Sequence, residues 1–429
     1  MFPVLRATRT RCLRAASHVG AFVAGAAFAT AALAHALPGL ERPRAPHDSA
    51  AETFAEALRH IDRYYVEPVA AEVLAHDAIA SIVSTLDDHS AFLGPSDYRR
   101  LKEDTGGAYS GIGISLARGG DGEIVIDRVI AESPAARAGI VRGDRVLAVD
   151  GVAATELGER APRRFEERLR GTSGSRVVLH ISRADEELEI VLEREPIAPP
   201  SVEWTVIDDE GAPAFGIVVI ERFHEGTGRE VARALGEIAR RTGYPMPGVV
   251  LDLRGNPGGL LDAAIDVADL FLDRGIIARV RGRGGAIVSQ WQARDAGTFE
   301  VPLIVLVDRQ SASAAEVLAG SLQDHGRAIV AGSASYGKGS VQTLFDLPGG
   351  SGLRLTTSHY YTPAHRAIDA DGLAPDIRLP DDVMAGPTVA SDTALDLRWR
   401  RDGALTWAVE TLTEGAGELA ARGPGGPID

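Results

Sequence analysis

The chain has 429 residues, enough for two or three domains, and a formal net charge of -15 at pH 7. Apolar residues make up 45% and charged residues 24%, a balance typical of a folded globular protein, which excludes disorder of the whole chain. The negative charge argues against nucleic acid as a partner, because phosphates would be repelled. The single cysteine, Cys12, leaves no disulfide and no thiolate metal site.

Residues 1–36 have the pattern of an export signal. Several arginines precede an Ala-rich apolar stretch over residues 19–33, and Ala34-His35-Ala36 fits a small-x-small cleavage site. The apolar stretch is short for a membrane span, so we favour export and cleavage after Ala36 over a retained anchor. The expected location is periplasmic, with membrane association through an uncleaved segment as the alternative.

Apolar residues at helical spacing follow over residues 50–86. The next segment, Asp87-Asp88-His89-Ser90, contains three side chains of metal-binding type. Adjacent residues cannot converge on one ion from a single rigid face, so we interpret the segment as a turn cap and predict no metal site.

A small second module is predicted over residues 98–195. Three glycine-containing segments, a short helix and a closing strand define it, at residues 109–115, 133–140, 143–151, 163–170 and 177–181. Their order is similar to that of a PDZ domain, and Gly111-Ile112-Gly113-Ile114 matches the carboxylate-binding loop. The resemblance implies that backbone N–H groups of this loop hold a carboxyl terminus while the peptide adds a strand to the sheet edge. The alternative is a small β-domain whose glycines only make turns.

Three motifs in the second half each follow an apolar run of strand length. The runs at residues 249–253, 302–307 and 328–331 are typical of strands buried on both faces, and the intervening helices predict a mostly parallel sheet. The carboxyl ends of such strands are the usual place for reactive groups. The motifs that follow are a glycine turn at residues 254–259, a serine pair at Ser311 and Ser313, and a loop with Lys338 between two glycines. A glycine turn that opens a helix presents free N–H groups to negative charge, as an oxyanion requires.

Each motif has a simpler interpretation when taken alone. Ser313 and Glu316 fit a helix capping box, and Lys338 fits a solvated loop lysine. The spacing from Gly332 to Lys338 nearly forms a phosphate-binding loop, but Gly339 stands where that loop needs Ser or Thr, and a strand rather than a helix follows.

Together, the three motifs resemble those of the carboxyl-terminal processing peptidases, which are S41-type serine proteases with a Ser-Lys dyad and an embedded PDZ domain. The matching segments are residues 251–259, 311–316 and 336–342. The resemblance implies that Ser313 is the nucleophile, Lys338 the general base and Gln342 the residue that positions the lysine. It further matches Asp324 to an acidic position with a supporting role, and assigns the oxyanion hole to the N–H groups of Ala314 and of Gly259 or Gly258.

The fold implied by this resemblance is a multi-domain α+β chain. It would have an α/β protease core of crotonase/ClpP-like fold, an inserted PDZ domain and a helical amino-terminal cap. The predicted boundaries are 1–36 for the signal peptide, 37–97 for the helical region, 98–195 for the PDZ domain, 196–380 for the core and 381–429 for a helical tail. The predicted function is an exported serine endopeptidase that needs no cofactor.

The predicted partners are the carboxyl-terminal tails of unfolded or precursor proteins, with an adaptor protein and a homo-oligomer left open. Two alternatives come from other classes: a catalytically silent peptide-binding protein of the same fold, and a crotonase-like acyl-CoA enzyme, which needs neither the Ser-Lys pair nor the PDZ unit. We interpret His359 and His365 as structural residues.

Overall fold

We describe the protein from a computed structural model. It describes residues 46–384, except 121, 159–160, 185, 209–212, 244, 295–297 and 369–370, together with residues 395 and 399–421. The predicted signal segment lies outside these residues. Among the residues described, no helix combines the length and the apolar character that a membrane span requires. The described residues divide into two compact units, with the boundary between Ala78 and Ile79.

Two helices occupy the region that the sequence predicted to be helical. They are α1 (Pro46–Tyr64) and α2 (Ala71–Ser84). The break between them contains Pro68, and the residue before a proline is disfavoured in helical conformation.

The segment after α2 caps a turn, as the sequence indicated. Asp87 Oδ1 accepts hydrogen bonds from the backbone N–H groups of His89 at 2.8 Å and Ser90 at 2.7 Å. Burial alone would raise the pKa of Asp87, but hydrogen bonds from Ser90, His89 and Thr356 outweigh it and lower that pKa. The short strand β1 (Ala91–Leu93) and helix α3 (Pro95–Gly106) follow.

The module that the sequence predicted as PDZ-like is a small antiparallel unit. Its strands are β2 (Tyr109–Gly111), β3 (Ile114–Arg118), β4 (Ile124–Val129), β5 (Arg145–Val149), β6 (Val152–Ala153), β7 (Arg176–Arg183), β8 (Glu186–Glu193) and β9 (Glu195–Ile197). Its helices are α4 (Pro134–Arg137), α5 (Ala154–Leu157) and α6 (Ala161–Leu169). The main sheet has the order β3-β4-β5-β7-β8, with β6 paired to β5, and β2 pairs with β9 separately. Strand β3 is therefore an edge strand, and α6 packs beside it.

The remaining elements form two sheets and the helices that cover them. The strands are β10 (Val202–Ile207), β11 (Phe215–Ile220), β12 (Val249–Asp252), β13 (Ile276–Arg281), β14 (Ile287–Gln292), β15 (Leu303–Val307), β16 (Ile329–Gly332), β17 (Ser340–Asp346), β18 (Gly352–Tyr361) and β19 (Ile377–Arg378). The helices are α7 (Thr227–Thr242), α8 (Leu261–Asp269), α9 (Ala314–Asp324), α10 (Asp381–Met384) and α11 (Gly403–Ala421).

The main sheet is mostly parallel, as predicted. Its order is β10-β11-β12-β15-β16-β19, and only the pair β10 and β11 is antiparallel. Strands β12, β15 and β16 are direct neighbours, so the three motifs that follow them leave the sheet at the same edge. A second, antiparallel sheet has the order β1-β18-β13-β14, with β17 also paired to β18.

Side chains of the central strands alternate between two hydrophobic clusters, as the two-residue period of a strand requires. In β12, Val249 and Leu251 pack into the cluster formed with α7, α8 and α9, whereas Val250 faces the cluster formed with α11. All three side chains are fully buried, which explains why these strands appear as continuous apolar runs in the sequence.

A charged network fixes the carboxyl-terminal helix to the glycine turn after β12. The Arg254 guanidinium donates to Asp252 Oδ2 at 2.7 Å and to Asp402 Oδ2 at 2.9 Å. Asp402 directly precedes α11, and its Oδ1 accepts the N–H of Leu405 in the first turn of that helix. The turn that carries Gly258 and Gly259 is thus anchored from outside the sheet.

Candidate active site

Ser313 lies on a strained turn between β15 and α9. Its backbone has φ 55° and ψ -115°, a left-handed φ that non-glycine residues rarely adopt and that clusters at functional sites. The side chain is nearly buried, with 8% of its surface exposed. The structure therefore places Ser313 at the carboxyl end of a buried strand, where the sequence predicted it.

Glu316 joins the serine turn to the lysine loop. Its Oε2 accepts hydrogen bonds from Ser313 N at 2.7 Å and from Lys338 N at 2.9 Å. Its Oε1 accepts from Gly337 N at 2.7 Å and Ser335 Oγ at 2.5 Å. The carboxylate is fully buried, and four donors compensate the cost of taking it out of water. One side chain thus holds both predicted catalytic motifs.

The hydrogen bond from Ser313 N to the Glu316 carboxylate is one of the two bonds of the capping box that the sequence indicated. The contacts to the lysine loop were not predicted. A glutamate three residues after a serine signals only a helix start, and the sequence contains no sign that its carboxylate reaches a loop that begins after the next strand.

Lys338 is half-buried in the loop between β16 and β17. Burial lowers the pKa of its ammonium group, and repulsion from the Arg354 guanidinium lowers it further, while Glu316 acts in the opposite direction. Arg354 is held in place by a hydrogen bond from its Nε to the carbonyl of His89 at 2.9 Å. Within the described part of the chain, the Lys338 ammonium donates no hydrogen bond to the Ser313 hydroxyl.

The glycine turn after β12 packs directly on the serine turn. A Cβ atom added to Gly258, whose φ is 97°, would lie 2.7 Å from the Ala312 carbonyl oxygen and 2.8 Å from Ser313 Cβ. A Cβ on Gly259, whose φ is 139°, would lie 2.0 Å from the carbonyl oxygen of Phe223. Only glycine fits at these two positions, because both the space and the backbone conformation exclude a side chain.

The two candidate oxyanion donors in this turn differ. Gly258 N–H is already bound to Asn256 Oδ1 at 2.8 Å, whereas Gly259 is exposed and its N–H makes no hydrogen bond among the residues that the structure describes. Ala314 is the first residue of α9, so its N–H lacks an intrahelical partner. This geometry favours Gly259 over Gly258 as the donor that would act with Ala314.

Asn256 is a second residue whose role the sequence did not predict. It is fully buried, and its side-chain Nδ2 donates to the Ile220 carbonyl at 2.8 Å. Its backbone carbonyl accepts the Ala312 N–H at 2.9 Å. Together with the bond to Gly258, these contacts lock the glycine turn to β11 and to the serine turn.

The remaining positions from the family resemblance, Gln342 and Asp324, make their hydrogen bonds with residues other than Ser313 and Lys338. Gln342 donates from Nε2 to Ser340 Oγ at 2.8 Å, on its own strand, rather than to Lys338. Asp324 is the last residue of α9, roughly 16 Å along the helix from Ser313 at about 1.5 Å per residue. There its carboxylate accepts the Ala364 N–H at 2.7 Å and pairs with Arg366, so its contacts fasten the segment after β18.

His359 and His365, the two histidines interpreted as structural residues, lie on the surface. His359 is exposed on β18, and the ring of His365, also exposed, forms a hydrogen bond with Arg281 at 2.9 Å. In the part of the chain described, neither ring is hydrogen-bonded to Ser313 or Lys338.

The loop Gly111-Ile112-Gly113-Ile114 turns its carbonyl groups into the PDZ-like module. The carbonyls of Ile112 and Gly113 accept the N–H groups of Ala135 at 3.0 Å and Ile130 at 2.8 Å. Ile112 packs in the hydrophobic core of this module, and Gly113 has a φ of 82°. The loop leads directly into the edge strand β3, the position from which a sheet can accept another strand.

Comparison with known protein families agrees with this architecture. Residues 214–379 match peptidase family S41, and residues 125–183 match the PDZ domain. The fold is that of a serine peptidase core that carries a PDZ domain.

Whole-chain relatives define the family more closely. The carboxy-terminal-processing protease of Bartonella bacilliformis is 36% identical over 328 residues, which is 76% of this chain and 74% of the relative. The carboxyl-terminal-processing protease of a Picosynechococcus species is 33% identical over 340 residues, 78% of this chain and 80% of the relative. A solved photosystem II D1 C-terminal processing protease aligns with a TM-score of 0.47 and 30% identity, over 80% of this chain and 98% of that one. On the sequence identities, the chain belongs to the carboxyl-terminal processing proteases of peptidase family S41.

We predict that Glu316→Gln weakens both the fold and the site. The amide keeps one acceptor oxygen and replaces the other with an NH₂ donor, so two buried donors lose their acceptor. At about 1–3 kcal/mol for each unsatisfied group, the free energy of unfolding should fall by roughly 2–6 kcal/mol. Urea unfolding measures this loss, and labelling of the serine by a fluorophosphonate probe, monitored at a temperature where the variant is folded, should slow at least about 100-fold.

The matched control is Glu237→Gln, which removes the charge of an exposed glutamate that pairs with Arg240 on α7. Its stability should change by less than about 0.5 kcal/mol. A wild-type labelling rate in folded Glu316→Gln would contradict the prediction.

Proposed function

We propose that this protein is an exported serine endopeptidase that captures the carboxyl-terminal tail of a protein substrate on its PDZ domain and cleaves the chain with a Ser313–Lys338 dyad. The observation that carries the proposal is the Glu316 carboxylate, which binds Ser313 N and Lys338 N through the same oxygen. Two motifs from different parts of the chain are thereby held side by side on neighbouring strands.

The chemistry follows from the residue types. A serine hydroxyl attacks a peptide carbonyl only when a base accepts its proton, and a lysine can be that base only in its neutral form. Burial and the nearby Arg354 both favour neutral Lys338. The Ser313 oxygen then bonds to the carbonyl carbon, its proton passes to Lys338 Nζ, and the oxyanion takes hydrogen bonds from Gly259 N–H and Ala314 N–H.

The reaction then follows the usual course of acyl transfer. The protonated Lys338 returns its proton to the leaving amine as the acyl-enzyme forms, and water later hydrolyses that ester. Gln342, four residues after Lys338 on β17, would contact the lysine only if its side chain left Ser340. We assign it a role in positioning the lysine during the reaction.

Two features support recognition of a carboxyl terminus. The loop 111–114 is fixed by its carbonyl groups, and β3 presents a free sheet edge beside α6. A tail that adds a strand to β3 would end at this loop, where backbone N–H groups can hold its carboxylate. Export is proposed from the arginines, apolar stretch and cleavage site of residues 1–36.

We predict that Ser313→Ala and Lys338→Ala each abolish cleavage of an unfolded reporter with an apolar carboxyl-terminal tail. The losses should be similar, about 10³-fold or more, because neither member acts without the other. The rate of reporter cleavage measures them, and circular dichroism verifies that both variants are folded.

The binding alternative gives a different result in the same assay. If the wild-type protein binds the tail but neither cleaves the reporter nor is labelled by a fluorophosphonate at Ser313, it is a peptide-binding protein of this fold. Full activity of Lys338→Ala would overturn the dyad.

We predict that a reporter whose carboxyl terminus is amidated is cleaved with a KM at least about tenfold higher than its free-acid form. Amidation removes the charge that the backbone N–H groups of the loop would hold, and charge-assisted hydrogen bonds contribute about 1.5–3 kcal/mol. Steady-state kinetics on the two reporters measure the difference. Equal KM values would show that the tail carboxylate is not recognised.

Activity should rise with pH as Lys338 loses its proton, with a midpoint below the ordinary lysine pKa of about 10.4. Because Arg354 lowers the pKa of Lys338, Arg354→Gln should move the rising limb of kcat/KM to higher pH. The pH dependence of fluorophosphonate labelling reports the same ionisation without tail binding.

The control is Arg274→Gln, which removes the charge of a side chain that is 90% exposed and should leave the rising limb in place. An unchanged limb in Arg354→Gln would exclude Lys338 as the titrating base.

A further inference from the structure

Tyr336 is an exposed aromatic residue on the loop that carries Lys338. It is 57% exposed, and among residues 331–340, all of which the structure describes, it is the one exposed residue. In the described part of the chain, its hydroxyl forms no hydrogen bond and its ring stacks on no aromatic ring or guanidinium. The side chain therefore contributes little to the stability of the fold, although it belongs to one of the three motifs that define the site.

The backbone that carries this side chain is fixed. Four consecutive N–H groups, beginning with that of Ser335, are each hydrogen-bonded to another part of the core. Ser335 N donates to the Leu373 carbonyl at 3.2 Å, and Tyr336 N donates to the Ser311 carbonyl at 2.9 Å. The next two N–H groups bind the Glu316 carboxylate at 2.7 Å and 2.9 Å. The loop therefore holds the ring in a constant position relative to both catalytic motifs.

Tyr336 is close to both members of the dyad. It precedes Lys338 by two residues, so the two Cα atoms lie at most about 7 Å apart. Its N–H is bound to Ser311, which precedes Ser313 by two residues. Ser311 is fully buried, and its hydroxyl donates to the Leu253 carbonyl at 2.8 Å, so the bond to Tyr336 reaches a rigid part of the serine turn.

The chemistry of the dyad indicates which part of a substrate lies beside this ring. When the peptide bond breaks, protonated Lys338 gives its proton to the leaving amine, so the amine nitrogen must lie within hydrogen-bond reach of Lys338 Nζ. That nitrogen belongs to the first residue after the scissile bond. This substrate residue therefore lies over the lysine loop, where Tyr336 is the exposed side chain.

We propose that Tyr336 is a specificity-determining residue, whose ring binds the side chain of the first substrate residue after the scissile bond and favours an apolar side chain there. The inference rests on the proposed Ser313–Lys338 dyad and names a substrate feature that the site selects. A tyrosine ring presents a large apolar face, and little conformational freedom is lost on contact because its backbone is already fixed. An aliphatic or aromatic side chain would cover that face, whereas glycine would leave it in water.

The test uses the whole protein and an unfolded reporter with an apolar carboxyl-terminal tail. Mass spectrometry of the products locates the principal scissile bond, and the reporter residue directly after it is then made Leu or Gly. We expect wild-type kcat/KM to be about tenfold higher for the Leu reporter than for the Gly reporter. In Tyr336→Ala this preference should disappear, whereas Tyr336→Phe, which keeps the ring and removes only the hydroxyl, should retain it.

Two controls assign the effect to this ring and to this substrate position. Phe345→Ala removes another exposed aromatic side chain, further along β17, and should keep the wild-type preference. A second pair of reporters carries Leu or Gly directly before the scissile bond. The ratio of kcat/KM for this second pair should be the same in Tyr336→Ala as in the wild-type enzyme.

The outcomes separate this inference from the proposed function. A Tyr336→Ala enzyme that still prefers Leu after the scissile bond, or a wild-type enzyme that cleaves both reporters equally well, would overturn the inference and leave the dyad intact. A change of selectivity before the bond instead of after it would also overturn the inference, since it would place the ring on the acyl side. A wild-type protein that neither cleaves a reporter nor is labelled at Ser313 by a fluorophosphonate would overturn the proposed function as well.

Discussion

The arrangement of this site depends on one buried carboxylate. Glu316 accepts four hydrogen bonds, two from the serine and lysine backbones and two from Ser335 and Gly337. Ser335 Oγ in turn accepts the Leu373 N–H at 2.6 Å, so the closing segment of the core is drawn into the same network. A carboxylate buried without these donors would cost several kcal/mol, which is why the loop must fold around it in this one way.

Close approach of the backbone at this edge of the sheet requires glycine at positions on both sides of the serine. Gly258 and Gly259 pack against Ala312, Ser313 and Phe223, as their missing side chains allow. Gly339 is still more confined, since a Cβ there would lie 1.5 Å from the Ile368 carbonyl oxygen. This contact explains in physical terms why the lysine is followed by glycine and not by the hydroxyl residue of a phosphate-binding loop. Because these positions have no side chain, the backbone packs closely there and is fixed on both sides of the nucleophile.

Much of this architecture could be predicted from the sequence, because the signals were local. Continuous apolar runs identified β12, β15 and β16, and the parallel order of these strands brings the glycine turn, Ser313 and Lys338 to one edge. The contacts that tune the site could not be predicted, because they join segments far apart in the chain. Arg354 reaches the site from β18 through sheet pairing, and no spacing in the sequence encodes that register. The matches to Gln342 and Asp324 came from resemblance of position alone, and their hydrogen bonds in the structure lead to Ser340 and Arg366.

The charges around Lys338 raise an apparent conflict, since a buried glutamate should favour a charged lysine and thereby remove the base. The structure resolves this conflict through the group of Lys338 that Glu316 contacts. The two carboxylate oxygens of Glu316 accept hydrogen bonds from the serine turn and the lysine loop. The bond from Lys338 comes from the backbone N–H of that residue and not from its ammonium group. Burial is the largest influence on the Lys338 pKa, and Arg354 adds to it, so the combined effect is a lowered value despite Glu316. The carboxylate can therefore organise the site as an acceptor of backbone hydrogen bonds while the lysine remains available as a base.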